Sequence, residues 1–428
     1  MDRRMVRIGA LFLAATGAWN VEGEVHEERQ QADQMKTGLL RPLALLWLAG
    51  VMLRLTILAL PPVLQAVETE FRLSGSRIGV LTAIPALFFA LAAVPGAVLI
   101  GRFGAVPSLV TGLLISALGA AARGFAGGVI ELELATSLMC LGVAIMQPAM
   151  PTLVREWTPS RVGLATATYT CGLLCGEVLP AAWPFAPVLP LVGGGWRATL
   201  FVWSLPVLAT VPIILILQPH TAREHIIRAS RSWPDWREGT VWKVGLLLGA
   251  VNAAYFGLNG FVPGWLSQSG GSDMIRPALL ALNAAQIPAS LLLLFLLDRL
   301  VFRRWSYVVA GLAMLAGSLG LAMGPAALAV TFAALAGFSL AWLLTLALAL
   351  PPLLVDAKDV PSISAAVFTV SYAIAVLTAL LTGILVTSGP SRSIEILPIA
   401  GAALAVVVVG VTMRRQAGQH SSDDRSAS

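Results

Sequence analysis

The sequence predicts an all-α membrane protein of twelve transmembrane helices, arranged as two pseudo-symmetric six-helix bundles. Three observations carry that prediction. Apolar residues make up 57% of the 428 residues and charged residues only 12%, about half of what a soluble domain carries. Mean hydropathy is +0.83. Apolar stretches of about 20 residues, each able to cross roughly 30 Å of hydrocarbon as a helix, alternate with short polar breaks. The short, alternately apolar and polar strands of a transmembrane barrel are not found.

The spans fall near 42–66, 78–100, 107–126, 130–153, 163–183 and 198–217, then 243–266, 276–297, 305–323, 326–350, 362–387 and 394–413. Lys and Arg test the topology. With the N-terminus cytoplasmic, 21 fall inside and six outside (Arg72, Arg77, Arg123, Arg197, Arg276 and Arg392), with Arg54 left within the membrane. That bias fits the positive-inside rule with both termini cytoplasmic, in the inner (plasma) membrane of a bacterial cell. The polar stretch between the sixth and seventh spans divides the chain into units at 39–218 and 242–413, joined by a central loop at 219–241 and followed by a tail at 414–428. The two units echo each other at a spacing of roughly 200 residues, as a duplicated membrane protein does. Leu60-Pro61-Pro62 answers Phe261-Val262-Pro263, Arg102 answers Arg299, and Pro151-Thr152-Leu153-Val154 answers Pro352-Leu353-Leu354-Val355.

Residues 1–38 read as an extension outside the fold. Arg3, Arg4 and Arg7 precede an apolar run from Ile8 to Trp19 that is too short to span and is similar to a signal sequence. A cleaved signal would conflict with a first span that starts on the cytoplasmic side, so Met35-Lys36 is expected to open the functional chain.

Several function classes are excluded. The net charge of +6 is explained by membrane orientation, and no basic stripe with interleaved aromatics marks a nucleic-acid surface. Cys140, Cys171 and Cys175 lie in apolar helices with all four histidines elsewhere, so they read as packing residues and no metal site or disulfide framework is expected. A phosphate-binding Gly-x-x-x-x-Gly-Lys-Ser/Thr loop, a zinc helix and a nucleophile elbow are absent. No enzymatic activity, metal or cofactor is expected.

Prolines 61, 62, 85, 95, 148, 151 and 263 fall inside spans and are expected to break them, either to line a cavity or to bend helices for packing. Gly172-x-x-x-Gly176, Gly245-x-x-x-Gly249 and Gly320-x-x-x-Gly324 suit close helix approach. Trp157, Trp183, Trp196, Trp242, Trp265 and Trp305 fall near span ends, where indoles favour the interface.

Arg54 is the sharpest feature. It lies 11 residues past Leu43, roughly 16 Å into the hydrocarbon at about 1.5 Å per residue. Placing an arginine there costs about 3 kcal/mol even on a lenient scale, and such residues usually mark pathways. Glu177, 13 residues past Leu164 in the fifth span, reaches a similar depth. The two form either a structural ion pair, or a recognition charge at Arg54 with a proton carrier at Glu177. Gln147, Asn252, Tyr255, Asn259, Asn283 and Gln286 are the neutral groups able to hydrogen-bond a small ligand, or to tie helices together.

At this point the chain resembles the major facilitator superfamily and, within it, the cyanate permease and 2-nitroimidazole transporter group. The resemblance spans nearly all of residues 40–413. Its pieces are Arg54 followed by Leu60-Pro61-Pro62-Val63-Leu64, Gly79-Val80-Leu81-Thr82-Ala83-Ile84-Pro85, Gly195-Trp196-Arg197, and Tyr255 followed by Phe261-Val262-Pro263-Gly264-Trp265-Leu266. The superfamily's loop after the second span usually reads Gly-x-x-x-Asp-Arg-x-Gly-Arg-Arg. Here Arg102-Phe103-Gly104 remain, but the Asp position is Gly101 and the leading Gly position is Ala97; the second half keeps Asp298-Arg299 and Arg303-Arg304.

The resemblance implies secondary active transport by alternating access. A small anion or small polar organic compound, linked to protons, would bind at Arg54, Gln147, Tyr255, Asn259, Asn283 and Gln286. Glu177 would couple protons or pair with Arg54, and Arg102, Gly104, Asp298 and Arg299 would serve the gating loops. The implied partners are the substrate, the lipid bilayer and protons, with the protein a monomer. Two alternatives stay open: efflux of hydrophobic drugs, and a non-transporting membrane sensor or assembly protein on the same fold.

Overall fold

The computed structural model describes residues 39–182, 195–219, 233–387 and 392–412. The expected extension at 1–38, most of the central loop, the tail at 414–428, the four histidines and Trp183 lie outside them. Among the described residues there is no strand, and twelve long helical segments follow one another. They are α1 (Leu39–Phe71), α2 (Gly75–Phe103), α3 (Ala105–Arg123), α4 (Val129–Trp157), α5 (Val162–Ala182) and α6 (Gly195–Val202 and Ser204–Leu217). The second six are α7 (Gly239–Gln268), α8 (Ile275–Ala284 and Gln286–Leu300), α9 (Arg304–Met323), α10 (Ala329–Leu354), α11 (Val360–Thr387) and α12 (Arg392–Thr412). The first eleven are long and apolar enough to cross a membrane, and α12 carries a shorter apolar stretch over Ile396–Thr412. Large apolar side chains such as Leu91, Phe125, Ile216 and Phe295 stay exposed, which in a chain of this composition is the surface offered to lipid.

The expectation that every intramembrane proline breaks its helix does not hold. Pro85 and Pro95 lie inside an unbroken α2, Pro148 and Pro151 inside α4, and Pro263 inside α7. A proline removes one backbone donor, and neighbouring helices carry the rest of the turn. The break is real at Pro61-Pro62, where α1 passes through a 3₁₀ turn. Two interruptions stand elsewhere, at Trp203 in α6 and Ala285 in α8. Each comes three residues before a proline, Pro206 and Pro288, whose missing N–H frees the carbonyl one turn upstream.

Packing repeats at an offset of six helices. The pairs α2–α4, α3–α4 and α3–α6 in the first half recur as α8–α10, α9–α10 and α9–α12 in the second. α1 lies on α5 as α7 lies on α11. Glycines permit both approaches: a Cβ at Gly172 or Gly176 would overlap the backbone of Trp47 or Val51, and one at Gly245 or Gly249 would press on Val370 or Ile374. Because the α1 contact is with main-chain atoms, no rotamer change can relieve it. Gly172→Leu is therefore expected to lower stability by about 1–3 kcal/mol, read by thermal unfolding in detergent. Gly264→Leu, at a position with nothing within 4 Å of an added Cβ, should leave stability unchanged.

The halves meet through α2–α11 and α5–α8, with further contacts of α4 on α10 and α11 and of α5 on α10. Burial along these helices is uneven. It is unbroken over Gly142–Val154 of α4, Thr345–Pro352 of α10 and Val360–Phe368 of α11. These runs flank the α4–α5 and α10–α11 turns, so the molecule is closed on the face where α1 begins and α12 ends. There the Asp298 carboxylate of α8 sits directly against Gly163, in the first turn of α5, where a helix N-terminus favours negative charge. On the same face α2 and α3 are joined by Gly104 alone, at φ 92°, a conformation that side-chain-bearing residues rarely adopt. Arg102 and Arg299 are exposed.

Two expectations about individual side chains are corrected. Arg123 was expected outside the membrane, yet it is fully buried and its Nη2 donates to the Thr56 carbonyl at 2.7 Å. The Leu60 N–H that would take that carbonyl in a regular helix turns to Ile57 instead, so Arg123 satisfies a group freed by the Pro61-Pro62 break. Among the tryptophans expected at the interface, Trp265 is fully buried and Trp157 and Trp196 are buried as well, so they belong to the packed interior, while Trp242 and Trp305 stay exposed.

Candidate functional site

The close approach of α1 and α5 at Gly172 and Gly176 places Arg54 beside Glu177. Arg54 Nε stands 3.4 Å from Glu177 Oε1, with the two side chains 9% and 8% exposed. At that burial neither charge has bulk water, and each depends on the other.

Both members reach the second half. Arg54 Nη2 donates to the Tyr372 hydroxyl on α11 at 3.4 Å, and that oxygen also accepts from Gln147 Nε2 on α4 at 3.3 Å. Tyr372 is held by the rings of Phe89 from α2, 4.9 Å away, and Phe368. On the other side, the Tyr255 hydroxyl of α7 lies 3.3 Å from Glu177 Oε2 and 3.2 Å from Asn283 Oδ1 of α8. It has one proton, so it donates to one of them at a time. Asn283 Nδ2 donates to Asn259 Oδ1 at 3.1 Å, and Gln286 Nε2 donates to Asn283 Oδ1 at 3.3 Å. Asn252 Nδ2 donates to Ser371 Oγ at 2.7 Å, fixing α7 to α11 near Tyr372.

Seven of the eight side chains singled out in the sequence (Arg54, Gln147, Glu177, Tyr255, Asn259, Asn283 and Gln286) thus share one hydrogen-bonded chain at the junction of the halves, and the eighth, Asn252, bonds Ser371 instead. The gating candidates Arg102, Gly104, Asp298 and Arg299 lie apart from it, on the closed face.

Sequence reasoning missed Tyr372, which links Gln147 to Arg54, and Tyr169 of α5, buried beside them. One signal was available. The chain has four tyrosines, and three of them, Tyr169, Tyr255 and Tyr372, converge here. The fourth, Tyr307, donates to the Val301 carbonyl at 2.6 Å and closes the α8–α9 turn. Among the described residues no group of His, Cys, Asp and Glu is placed to hold a metal ion.

Two bundles of apolar helices with a buried, charged site at their junction define a membrane transporter. The sequence matches the Major Facilitator Superfamily over residues 46–327, and the chain belongs to that superfamily. It is 28% identical over 292 residues to the 2-nitroimidazole transporter of Escherichia coli (strain K12), covering 67% of this chain and 72% of the relative. It is 26% identical over 301 residues to the cyanate transport protein CynX of the same organism, covering 70% and 77%. Among solved structures, the proton:xylose symporter XylE superposes with a TM-score of 0.68 at 14% identity over 88% of this chain and 94% of XylE. The transporter FucP in its outward conformation gives 0.64 at 12% identity, over 87% and 99%. These two share the fold. The relatives named here are transporters, and none is an enzyme.

Proposed function

We propose that this transporter carries a small anion or small polar organic compound, that Arg54 recognises it, and that Glu177 links its movement to a proton. The observation that carries the reading is the buried Arg54–Glu177 pair, hydrogen-bonded to both halves at once. A buried site tolerates little net charge. With both groups ionised the pair is neutral, and an anion bound at Arg54 adds one negative charge. A proton taken up by Glu177 restores balance and releases the guanidinium from its partner. Anion and proton are therefore taken up together, and both leave when the pair re-forms. The charged pair and its chain of hydrogen-bonded polar side chains argue against export of hydrophobic drugs, and the relatives' cyanate and 2-nitroimidazole are both small.

The 39–218 and 242–413 units are the bodies that move, acting as a monomer in the plasma membrane. The excess of basic residues assigns the closed face to the cytoplasm, and moving Arg123 into the interior strengthens that excess. In this assignment the structure faces outward, and Asp298 of α8, packed against the start of α5, with Gly104 and the arginines 102 and 299 of the same face, serves the inner gate. Both termini are then cytoplasmic.

The test is uptake of labelled cyanate and of 2-nitroimidazole into liposomes holding the purified protein. Saturable uptake of at least one of them, above that of empty vesicles and driven from the acid to the alkaline side, is expected. Flux equal to empty vesicles for both removes the assignment of substrate class.

A further inference from the structure

Between the Arg54–Glu177 pair and the closed face lies a small cavity lined from α1, α4, α5, α7, α10 and α11, hence by both halves. Its free space is about 20 Å³, room for one water molecule. Three side chains bring unused hydrogen-bonding capacity to it. Tyr169, 2% exposed, has a hydroxyl with no partner, and Gln147, 6% exposed, has an Oε1 with none. The Tyr372 oxygen accepts from both Arg54 and Gln147. That occupies both of its lone pairs and leaves its own proton to donate elsewhere. Buried hydroxyls and amides are ordinarily satisfied, and each exception calls for an explanation.

The inventory has a sign. The polar groups lining this space are a guanidinium and two phenolic hydroxyls, which donate, against the amide oxygens of Gln147 and Asn252, which accept, so donors prevail. Apart from Asn252 the remaining wall is apolar, with Leu248, Leu344 and Leu348 from the second half. Donors gathered over an apolar floor fit the electron-rich end of a small anion: an oxygen or nitrogen that accepts several hydrogen bonds while the rest of the molecule lies against hydrocarbon.

We infer that this cavity is an inner binding station in which the hydroxyls of Tyr169 and Tyr372 grip the anionic end of the substrate after it engages Arg54. The inference rests on the reading of Arg54 given above and extends it to two residues and a position. In the present state the cavity has room for one water. For a substrate to enter, α7, α10 and α11 must shift against α1, α4 and α5, which is the displacement alternating access requires. The station thus forms at the seam that opens, and filling it favours the state in which the seam has moved.

The experiment is calorimetric titration of the full-length protein in detergent with cyanate, comparing wild type with Tyr169→Phe, Tyr372→Phe, Leu344→Phe and Arg54→Ala. Tyr169→Phe removes only an oxygen with no partner, so folding should be unharmed, and affinity should fall about tenfold, as for the loss of one hydrogen bond to a charged acceptor. Tyr372→Phe should fall at least as far. Leu344→Phe fills the cavity from its floor and should weaken binding without touching any polar group. Wild-type affinity in Tyr169→Phe and Leu344→Phe, with binding lost in Arg54→Ala, overturns the inner station and leaves the recognition role of Arg54 standing. A wild-type protein that binds no cyanate overturns the station as a site for this anion, whatever its uptake of 2-nitroimidazole.

Discussion

Replacing Arg54 with alanine is expected to reduce substrate affinity by at least two orders of magnitude and to lower the stability of the protein. The two effects have separate causes. Arg54 is the one ionised donor in the polar chain at the junction, and a bidentate or charge-assisted contact with a small anion has no substitute there. The loss in stability arises because the buried Glu177 is left without its partner, and breaking a buried pair from one side costs about 3–5 kcal/mol. The effects can be told apart. A double variant, Arg54→Leu with Glu177→Leu, should recover much of the stability, since a buried pair replaced as a unit by apolar residues is often neutral or better. It should recover none of the binding. Thermal unfolding and calorimetric titration on wild type, Arg54→Leu, Glu177→Leu and the double variant complete the cycle, and binding recovered in the double variant would contradict the recognition role.

Glu177→Gln is expected to have the second-largest effect, and on a different quantity. The amide keeps the side chain's shape and can still accept from Tyr255, now 3.3 Å from the carboxylate, but it can neither charge nor take a proton. The variant mimics the protonated state, with the guanidinium released for substrate. Binding should persist and become independent of pH, where the wild type should bind an anion more tightly as pH falls. Exchange of labelled for unlabelled substrate should continue, while accumulation against a gradient should stop.

The fold class is legible in the sequence because lipid is a demanding solvent. Backbone groups must be satisfied within each crossing, so length and apolarity suffice to locate the spans: the fifth is expected at 163–183 and found at Val162–Ala182. Arg54 and Glu177 are legible for the same reason, since charge at that depth is costly enough to stand out. Tyr169 and Tyr372 are not legible in that way. A phenol ring is at ease in an apolar helix, and only the convergence of several helices shows that two hydroxyls share one small space. Arg123 misleads by its position at the end of an apolar stretch, where the default is to reach water. Its inward turn is dictated by a carbonyl that Pro61 and Pro62 free on another helix, a relation that no local pattern contains. The prolines of α2, α4 and α7 mislead in the opposite sense, because one lost donor is too small a fault to stop a helix held on several sides.

One comparison bears most directly on the idea that a single buried pair both recognises the solute and reads the proton. Wild type and Glu177→Gln are placed in liposomes, and entry of labelled substrate is followed with an acid-outside pH gradient and without one. The wild type should accumulate substrate only when the gradient is imposed, and the variant should equilibrate it at the same rate in both conditions. Gradient-driven accumulation by the Glu177→Gln protein equal to that of the wild type would contradict the account.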